Sequence, residues 1–424
     1  MAESVSFAPA GFGTLDRRAA LVGRTAELRV LDEALRAVRD TKKTRTVTLV
    51  GAAGIGKTRL VRDFLSRQRT SELGAPRVFR GSAREGGGAY DVFARVLRAR
   101  FGIVEGMEPE AAKAQVRAQV SAVLEDRKVG DVCFFLGQLL ELEFMDSPLI
   151  QAVRNDAAQM RLLRRAVIKR FLEADAWHAP VGRRDTDPDS QEAAGAPKPK
   201  GARGPIVLVF DDLHHAHDES LDLLGFLVDT LDAPILILPL ARPEMLARRD
   251  DWGRYGAATG ARDASGRPEP PRHKVIELSP LSDTDSARVM EELLAPCGEA
   301  EGVEELVEAA CTLAGGNPEL LERMVQIFHD IGVIEVTDDF AEVEAWTVHV
   351  EKLAEVKLPL TVEDAIQARI AALSPEERDL LERAAVMGSV FWMGGLLAIT
   401  RLDKNAPDFW TRDTGTDEKQ IKDA

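Results

Sequence analysis

The pattern G-x-x-x-x-G-K-[ST] constrains this chain more than any other feature of its sequence. Its eight residues are Gly51, Ala52, Ala53, Gly54, Ile55, Gly56, Lys57 and Thr58. Residues 46–50 before the pattern form a short segment rich in β-branched residues, which predicts a buried strand, and residues 59–65 after it have the apolar spacing of a helix. A strand, a glycine-rich turn and a helix in this order predict a loop that binds the phosphates of a nucleoside triphosphate.

Each residue type in the loop has a physical reason. The glycines let the backbone curl around phosphates with its N–H groups inward, and the helix N-terminus adds partial positive charge. Lys57 would bridge the β- and γ-phosphates, and Thr58 would place its hydroxyl on Mg²⁺. We count Arg59, the next residue, among the nucleotide-binding candidates. The alternative, a glycine-rich turn with a solvated lysine, is disfavoured by the flanking strand and helix.

Further apolar segments predict the rest of a sheet. They cover residues 77–81, 206–210, 234–240 and 274–278. Because they alternate with helical patterns, we predict an α/β fold with a parallel five-stranded sheet flanked by helices. Pro239 is awkward in a central strand, since proline cannot donate to the ladder. We nevertheless keep that segment as a strand.

The second and third strands are separated by an unusually long stretch. Amphipathic helical spacing at residues 89–100 and 132–144 predicts a helical insertion over about 82–177. Residues 178–204 are rich in Pro, Gly and charge, which predicts a mobile loop, and residues 1–17 predict a flexible tail. The segment that opens at Leu21 predicts a helix to about Arg39, and from about residue 282 onward the pattern becomes helical again, at residues 286–294, 302–313, 319–331 and 375–387.

Two carboxylates end the third predicted strand. In phosphoryl transfer the metal needs an acidic anchor and the attacking water needs an orienting acceptor. We therefore assign Asp211 to Mg²⁺ and Asp212 to the water. A strand that merely ends in an Asp-Asp turn is the alternative.

An arginine and three histidines lie close to these carboxylates in sequence. Arg242 directly follows the fourth strand and could reach the γ-phosphate. The alternative is that it forms a salt bridge on the surface. His214, His215 and His217 do not share one helix face at i, i+4 and have no accompanying cysteine. They therefore indicate a polar loop or helix start more than a metal site.

Composition narrows the setting and the partners. The formal net charge of −15 argues against a broad surface for nucleic-acid phosphates, so no nucleic acid is expected as partner. No apolar run approaches the length of a membrane span, and no export signal opens the chain. The cysteines, 3 in number, lack metal-ligand spacing, which indicates a reducing, cytoplasmic setting.

Several motifs, taken in order, resemble one family. They are Leu-Val-Gly-Arg at 21–24, Gly-Ile-Gly-Lys-Thr-Arg-Leu at 54–60, Val-Phe-Asp-Asp-Leu-His at 209–214, Ser-Leu at 220–221, the arginine at 242, Leu-Ser-Pro-Leu at 278–281, Gly-Gly-Asn-Pro-Glu at 315–319, and Ala-Ala-Val-Met-Gly at 384–388 with the phenylalanine at 391. Over about residues 18–395 the chain resembles the STAND signal-transduction ATPases, which are relatives of the AAA-type ATPases.

The resemblance implies a domain plan and a cofactor. It implies an AAA-like nucleotide domain over 18–281 with strand order 5-1-4-3-2, a helical lid over 282–345, and a winged-helix-like domain over 346–424 that stops inside or just after that fold. The cofactors would be ATP or ADP with Mg²⁺. By resemblance, Val22 to Arg24 would lie near the adenine, and Gly316 with Pro318 would form the turn that brings the lid onto the base. That turn could also be a plain loop between helices, which Asn-Pro favours.

One departure from the family concerns the helix after the acidic strand. Family members usually carry Trp and Asp where His215 and His217 stand, so Asp218 or Ser220 is expected to cap that helix instead.

Three functions fit these observations. The first is a signalling switch in which nucleotide state controls an open or closed form and assembly with itself or a protein partner. The second is a turnover ATPase that loads or remodels a macromolecule, although such motors usually carry Asp-Glu where Asp211 and Asp212 stand. The third is a scaffold that uses nucleotide for stability without hydrolysis.

Overall fold

The computed structural model of the chain describes two compact units. It describes residues 19–69, 75–124, 129–145, 148–153, 155–177, 204–256, 271–298, 300–337, 345–349, 351–352, 375–386, 394–396 and 399. The sheet unit is Gly23–Ser279, and the helical unit comprises Met1–Val22 and Pro280–Ala424. The predicted tail, nearly all of the predicted mobile loop and most of the winged-helix-like region lie outside the described residues. The domain boundaries stay a prediction.

The sheet unit is built on five parallel strands. They are β1 Arg45–Val50, β2 Arg77–Ser82, β3 Ile206–Asp211, β4 Ile235–Ala241 and β5 His273–Glu277. The strand order is β2-β3-β4-β1-β5, which confirms the predicted parallel sheet and the order that the resemblance implied. Every residue of β1, β3 and β4 is buried. The continuous apolar runs 206–210 of β3 and 235–241 of β4 follow from this, because parallel strands are covered by helices on both faces, whereas β1 also buries Arg45, Thr46 and Thr48.

Pro239 lies inside the central strand β4 and interrupts its pairing on one side. The register of β1 with β4 passes from the pair Thr46–Ile237 to the pair Leu49–Leu240. On the other side, Pro239 pairs with Phe210 of β3. The ladder with β1 thus skips the proline, which has no N–H to donate. The predicted strand is confirmed, and its pairing with β1 is interrupted at Pro239.

Helices cover the sheet and form the insertion. They are α1 Thr25–Thr41, α2 Lys57–Arg69, α3 Asp91–Phe101, α4 Pro109–Val123, α5 Val129–Leu140, α6 Pro148–Val153, α7 Ala157–Trp177, α8 Asp218–Thr230 and α9 Pro243–Arg248. The insertion consists of α3 to α7, with α3 packed on β2 and α7 on α8. Most of its buried apolar side chains belong to the same core as the sheet, and Phe134, Phe135 and Ile150 form a separate cluster. The insertion is therefore part of the sheet unit's core.

The first helix begins later than its sequence pattern indicates. We expect a helix from Leu21, but α1 begins at Thr25. Gly23 has a φ of 69°, a left-handed conformation in which an α-helix cannot continue. Ala19 and Val22 instead pack into the core of the helical unit, and the backbone N–H of Ala20 donates to Glu292 at 3.0 Å.

A buried polar chain links β1 to the segment before β5. The indole N–H of Trp252 donates to the hydroxyl of Thr48 at 3.0 Å, and this hydroxyl lies 2.7 Å from Nε2 of His273. Nδ1 of His273 lies 2.9 Å from the carbonyl oxygen of Tyr255. A carbonyl oxygen only accepts, so Nδ1 carries the proton and Nε2 accepts from Thr48. Burial lowers the pKa of His273, against the opposing effects of the Tyr255 carbonyl and the charge of Asp229.

This histidine predicts a pH dependence of stability. Its folded-state pKa is lowered, so below its ordinary pKa of about 6.5 the unfolded chain takes up a proton that the folded chain excludes. The free energy of unfolding should therefore fall as pH drops below that value, by at most about 1.4 kcal/mol per pH unit. Urea unfolding at a series of pH values measures the slope. His273→Gln, which keeps an acceptor and a donor, should flatten it; an equal slope in parent and variant would contradict the assignment.

The helical unit contains the three helices that the sequence predicts from residue 282 onward. They are α10 Asp283–Leu293, α11 Val303–Ala314 and α12 Pro318–Asp330. They pack together around a core that includes Leu321, Met324 and Phe328. An antiparallel pair, β6 Ile334–Thr337 and β7 Ala345–Val348, follows them. The predicted helix at 375–387 is confirmed as Pro375–Val386. In the described parts of the chain, no helix combines the length and the apolar character that crossing a bilayer requires.

Candidate functional site

The predicted site residues of the sheet unit follow adjacent parallel strands. The loop follows β1, Asp212 follows β3 and Arg242 follows β4. Since β3 pairs with β4 and β4 with β1, the ends of these strands lie along one edge of the sheet. In open α/β sheets this carboxyl edge is where ligands bind.

The loop between β1 and α2 has the backbone that its glycines predict. Gly54 and Gly56 have φ values of 74° and 95°, which residues with a Cβ atom rarely adopt. A Cβ on Gly51 would lie 2.8 Å from Ile55 and 3.2 Å from Leu278, so the start of the loop packs tightly against these two residues. The sequence 51–58 thus forms a turn that leads straight into α2 at Lys57.

Lys57 lies over the loop it follows. Its ammonium donates to the carbonyl oxygens of Gly51 and Ala52, each at 2.8 Å. Burial lowers the pKa of Lys57, Asp211 opposes this, and the nearby charge of Arg242 adds to the lowering. An ammonium held by two neutral carbonyls, close to a second cation, is a suitable partner for phosphate oxygens.

Arg24 supports the loop from its other side. Its guanidinium is buried and donates to the carbonyl oxygens of Ile55 at 3.2 Å and Ser279 at 2.7 Å. Glu27 lies 3.5 Å from the same guanidinium. Arg24 therefore ties α1 and the chain after β5 to the loop, and its place near the adenine stays a prediction.

Asp211 and Thr58 meet as their metal assignment requires. The hydroxyl of Thr58 donates to Oδ2 of Asp211 at 3.1 Å. Oδ1 of Asp211 accepts the backbone N–H of Asp212 at 3.0 Å. Arg80 of β2 also contacts Asp211, with Nη2 2.5 Å from Oδ2. The structure thus brings a hydroxyl and a nearly buried carboxylate together, which are oxygen ligands of the kind that Mg²⁺ prefers.

Asp212 has an unusual backbone and a defined side chain. Its φ of 53° lies in the left-handed region, which non-glycine residues occupy mainly as Asn or Asp. The hydroxyl of Ser82 donates to its Oδ2 at 2.9 Å. Such strained backbone positions cluster at functional sites. The hydrogen bond from Ser82 thus ties the carboxylate assigned to the attacking water to the end of β2.

Arg242 and the histidines occupy the neighbouring turns. Arg242 is half-buried, immediately before α9, and its charge helps to lower the pKa values of Lys57 and His214. Burial first, then His215, lowers the pKa of His214 to about 4, so its ring is neutral at neutral pH. The rings of His214 and His215 lie 4.0 Å apart.

The helix after the acidic strand begins differently from our expectation. We expect Asp218 or Ser220 as its cap, and both are wrong. His217 caps α8, because its Nδ1 accepts the backbone N–H of Glu219 at 3.3 Å. Ser220 instead accepts the backbone N–H of Tyr90 at 2.9 Å. His217 therefore has the helix-start role that the histidine pattern indicated.

Three predicted residues belong to the helical unit. Val22 packs on its core, Gly316 has a φ of 77° and accepts the backbone N–H of Leu281 at 2.8 Å, and Pro318 is the first residue of α12. The turn between α11 and α12 thus has the structural role that its sequence favours. Contact of these residues with adenine stays a prediction.

Sequence reasoning missed Arg80 and Ser82. Both lie at the end of β2, where Ser82 pairs in register with Asp211. The available signal was the pattern Arg-x-Ser at the end of a predicted strand that the implied strand order places beside β3. These two side chains hold the two carboxylates assigned to the metal and to the water.

The residues present fit a nucleotide with magnesium. The loop is closed so tightly that a Cβ at Gly51 would collide with Ile55, and the backbone turns there through two left-handed glycines. The donor set beside it is an ammonium, a hydroxyl and a carboxylate. Phosphate oxygens suit the first, and Mg²⁺ suits the other two.

Comparison with known protein families places the loop and both carboxylates inside one ATPase domain. The family model described as AAA ATPase domain matches residues 20–238, which begin three residues before the sheet unit, end inside β4 and include the loop and both carboxylates. No curated protein matches the chain.

Among solved structures, the chain is similar to a Signal Transduction ATPase with Numerous Domains protein with a tetratricopeptide repeat sensor from Pyrococcus horikoshii, at 13% identity and a TM-score of 0.39, over 98% of this chain and 41% of that one. It is similar to the Orc1 protein of Aeropyrum pernix in complex with DNA, at 14% identity and a TM-score of 0.37, over 95% of this chain and 82% of that one. It is also similar to the RuvB Holliday junction branch migration motor of Thermotoga maritima, at 12% identity and a TM-score of 0.32, over 90% and 82%. The chain thus spans less than half the length of the first of these proteins.

Proposed function

Because the chain belongs to the AAA ATPase domain family, we propose that it is a signalling switch that binds ATP and ADP and hydrolyses ATP slowly with Mg²⁺. The observation that carries the proposal is the contact between Thr58 and Asp211 at 3.1 Å, directly beside the loop. It joins the two sequence motifs, 153 residues apart, in one site.

Each residue of the site has a proposed role. Lys57 and the loop from Gly51 to Gly56 bind the phosphates, and Thr58 with Asp211 holds Mg²⁺. Mg²⁺, when bound, supplies positive charge against the charge of the β- and γ-phosphates. Asp212 orients the attacking water, and Arg242 contacts the γ-phosphate, so that it distinguishes ATP from ADP.

The switch requires that nucleotide favours one conformation over another. A ligand shifts a conformational equilibrium only by its difference in affinity for the two forms. We propose that ADP holds the lid of α10 to α12 closed, with Gly316 and Pro318 at the base, and that ATP accompanies an open form that assembles with copies of itself or with a protein partner. We also propose that the protein is located in the cytoplasm.

The first experiment measures nucleotide bound to the protein as purified. The protein is denatured and released nucleotide per chain is quantified by chromatography. Nearly one ADP per chain would support a closed resting switch that traps its product. An empty site that binds added ATP and turns it over rapidly would favour the turnover ATPase. Binding without any hydrolysis in a single turnover would favour the non-hydrolysing scaffold.

Asp212→Asn should separate hydrolysis from binding. Asparagine keeps the shape of the side chain and tolerates the left-handed backbone of this position, so the fold should persist. Loss of the carboxylate should slow hydrolysis by about 100-fold or more while Mg²⁺ and ATP stay bound. Single-turnover hydrolysis with labelled ATP measures this. Asp218→Asn, an exposed carboxylate 3.5 Å from Arg248, is the control. Parent-like hydrolysis by Asp212→Asn would remove this residue from catalysis.

A further inference from the structure

Arg80 and Thr58 contact the same carboxylate oxygen of Asp211, the residue assigned to magnesium. Its guanidinium Nη2 lies 2.5 Å from Oδ2 of Asp211, and the hydroxyl of Thr58 donates to this Oδ2 at 3.1 Å. Oδ1 accepts the backbone N–H of Asp212 at 3.0 Å. Both oxygens of Asp211 therefore already have donors, and the shortest contact comes from a fixed positive charge.

The register of the sheet sets up this contact. Ser82 pairs with Asp211 and Arg80 with Val209, so Arg80 and Ser82 point to the same face of β2. The side chain of Asp211 is 6% exposed, whereas that of Arg80 is 32% exposed. The carboxylate is thus fixed in the fold, while a long side chain that reaches solvent can change rotamer without a backbone change.

A guanidinium and a hydrated magnesium ion are alternatives at this oxygen. Mg²⁺ demands near-octahedral geometry and keeps several waters, which need acceptors such as Oδ2 of Asp211. A guanidinium 2.5 Å from Oδ2 fills the space where such a water would donate. Its positive charge also repels a divalent cation beside Thr58.

We propose that Arg80 is a positioning residue that competes with Mg²⁺ for Asp211. It holds the carboxylate in the metal-free site and releases it when Mg²⁺ binds together with nucleotide. This inference rests on the proposed function, since it requires nucleotide and Mg²⁺ at this site. Arg80 thereby raises the Mg²⁺ concentration that tight nucleotide binding requires.

The test is a titration of nucleotide binding with free Mg²⁺. Binding of a fluorescent ADP analogue is measured for the parent and for Arg80→Met over a range of free Mg²⁺, and the midpoint of the affinity increase is compared. In Arg80→Met the midpoint should fall by about 10- to 100-fold, because Mg²⁺ no longer displaces a charge-assisted hydrogen bond. Arg80→Lys, which keeps the charge, should lie closer to the parent.

Arg95 provides a matched control. It pairs with Asp91 at 3.0 Å in the same unit, with side chains 25% and 29% exposed. Arg95→Met should leave the Mg²⁺ midpoint unchanged. If Arg80→Met does not fold, as judged by thermal melting, Arg80→Gln removes the charge while keeping a donor and should also lower the midpoint.

Two results would overturn the inference while leaving the proposed function intact. A midpoint in Arg80→Met equal to the parent's would reduce Arg80 to a structural partner of Asp211. A higher midpoint would mean that Arg80 helps to hold the metal or the phosphates. A parent protein that binds no nucleotide at any Mg²⁺ concentration would overturn the proposed function, and this inference with it.

Discussion

Replacing Asp175 with alanine is expected to lower the free energy of unfolding of the sheet unit by about 3 to 5 kcal/mol. Asp175 of α7 is fully buried and binds the guanidinium of Arg100 of α3, which is 2% exposed, through both Nε and Nη2. Arg77 of β2 donates to the backbone oxygen of Asp175 at 2.8 Å. Removal of the carboxylate would leave Arg100 charged and buried among Phe79, Phe101 and Phe171, whose ring centroids lie 5.4 to 5.8 Å from it.

Hydrogen exchange of β3 as a function of urea measures this loss, because a central buried strand reports unfolding of the whole unit. Glu110→Ala is the control. Its carboxylate is 75% exposed and lies 2.8 Å from Lys113, so its removal should cost less than about 1 kcal/mol. The double variant Arg100→Met with Asp175→Leu should recover much of the stability, since a buried ion pair can be replaced by apolar side chains. A loss in Asp175→Ala no larger than that in Glu110→Ala would contradict the prediction.

The ion pair also matters for the site. It fastens α3 and α7 to β2, the strand that carries Arg80 and Ser82. Those two side chains hold Asp211 and Asp212. We therefore expect the folded fraction of Asp175→Ala to bind nucleotide, but with a changed dependence on Mg²⁺.

Lys57→Ala is expected to reduce nucleotide affinity by roughly 100-fold or more, since two charge-assisted hydrogen bonds to phosphate oxygens are lost. The side chain touches its own loop through the carbonyls of Gly51 and Ala52, and its half-buried ammonium has a lowered pKa because of burial. Removing it leaves no buried carboxylate unpaired, because Thr58 and Arg80 hold Asp211. The nucleotide-free protein should therefore melt close to the parent.

Titration with a fluorescent ADP analogue in excess Mg²⁺ measures this affinity. Lys274→Ala, at an exposed position of the edge strand β5, is the control and should bind like the parent. Parent-like affinity in Lys57→Ala would show that the loop does not bind phosphates through this lysine, and the proposed function would fail with it.

The local sequence determined the elements of this protein well, for a physical reason. Strands β1, β3 and β4 are buried on both faces, so β3 and β4 contain continuous apolar runs and β1 is rich in β-branched residues, patterns that a short window recognises. The loop is also a local object, because its glycines and the start of α2 lie within eight residues. Even Pro239 could be kept in a strand, since a gap in one ladder accommodates it.

Local sequence failed where a residue's partner is distant in the chain. The pattern at Leu21 favours a helix, yet Ala19 and Val22 pack on the core of the helical unit and α1 begins at Thr25. The predicted caps of α8 were Asp218 and Ser220, but His217 is the cap. Ser220 instead accepts the backbone N–H of Tyr90, which lies 130 residues away in the chain. Local sequence also does not indicate that the guanidinium of Arg24 donates to the carbonyl oxygens of Ile55 and Ser279, which lie 31 and 255 residues away, whereas its place near the adenine stays a prediction.

The sequence by itself thus determined the parallel α/β fold, the glycine-rich loop after β1 and the two adjacent carboxylates at the end of β3. Those features depend on apolar periodicity and on motifs within a few residues, which local physics specifies. Only the tertiary structure decided that Arg80 and Ser82 hold Asp211 and Asp212, and that Arg100 and Asp175 fasten the insertion to the sheet. These contacts join residues 75 to 131 positions apart, and strand register and helix packing, which no local pattern encodes, bring them together.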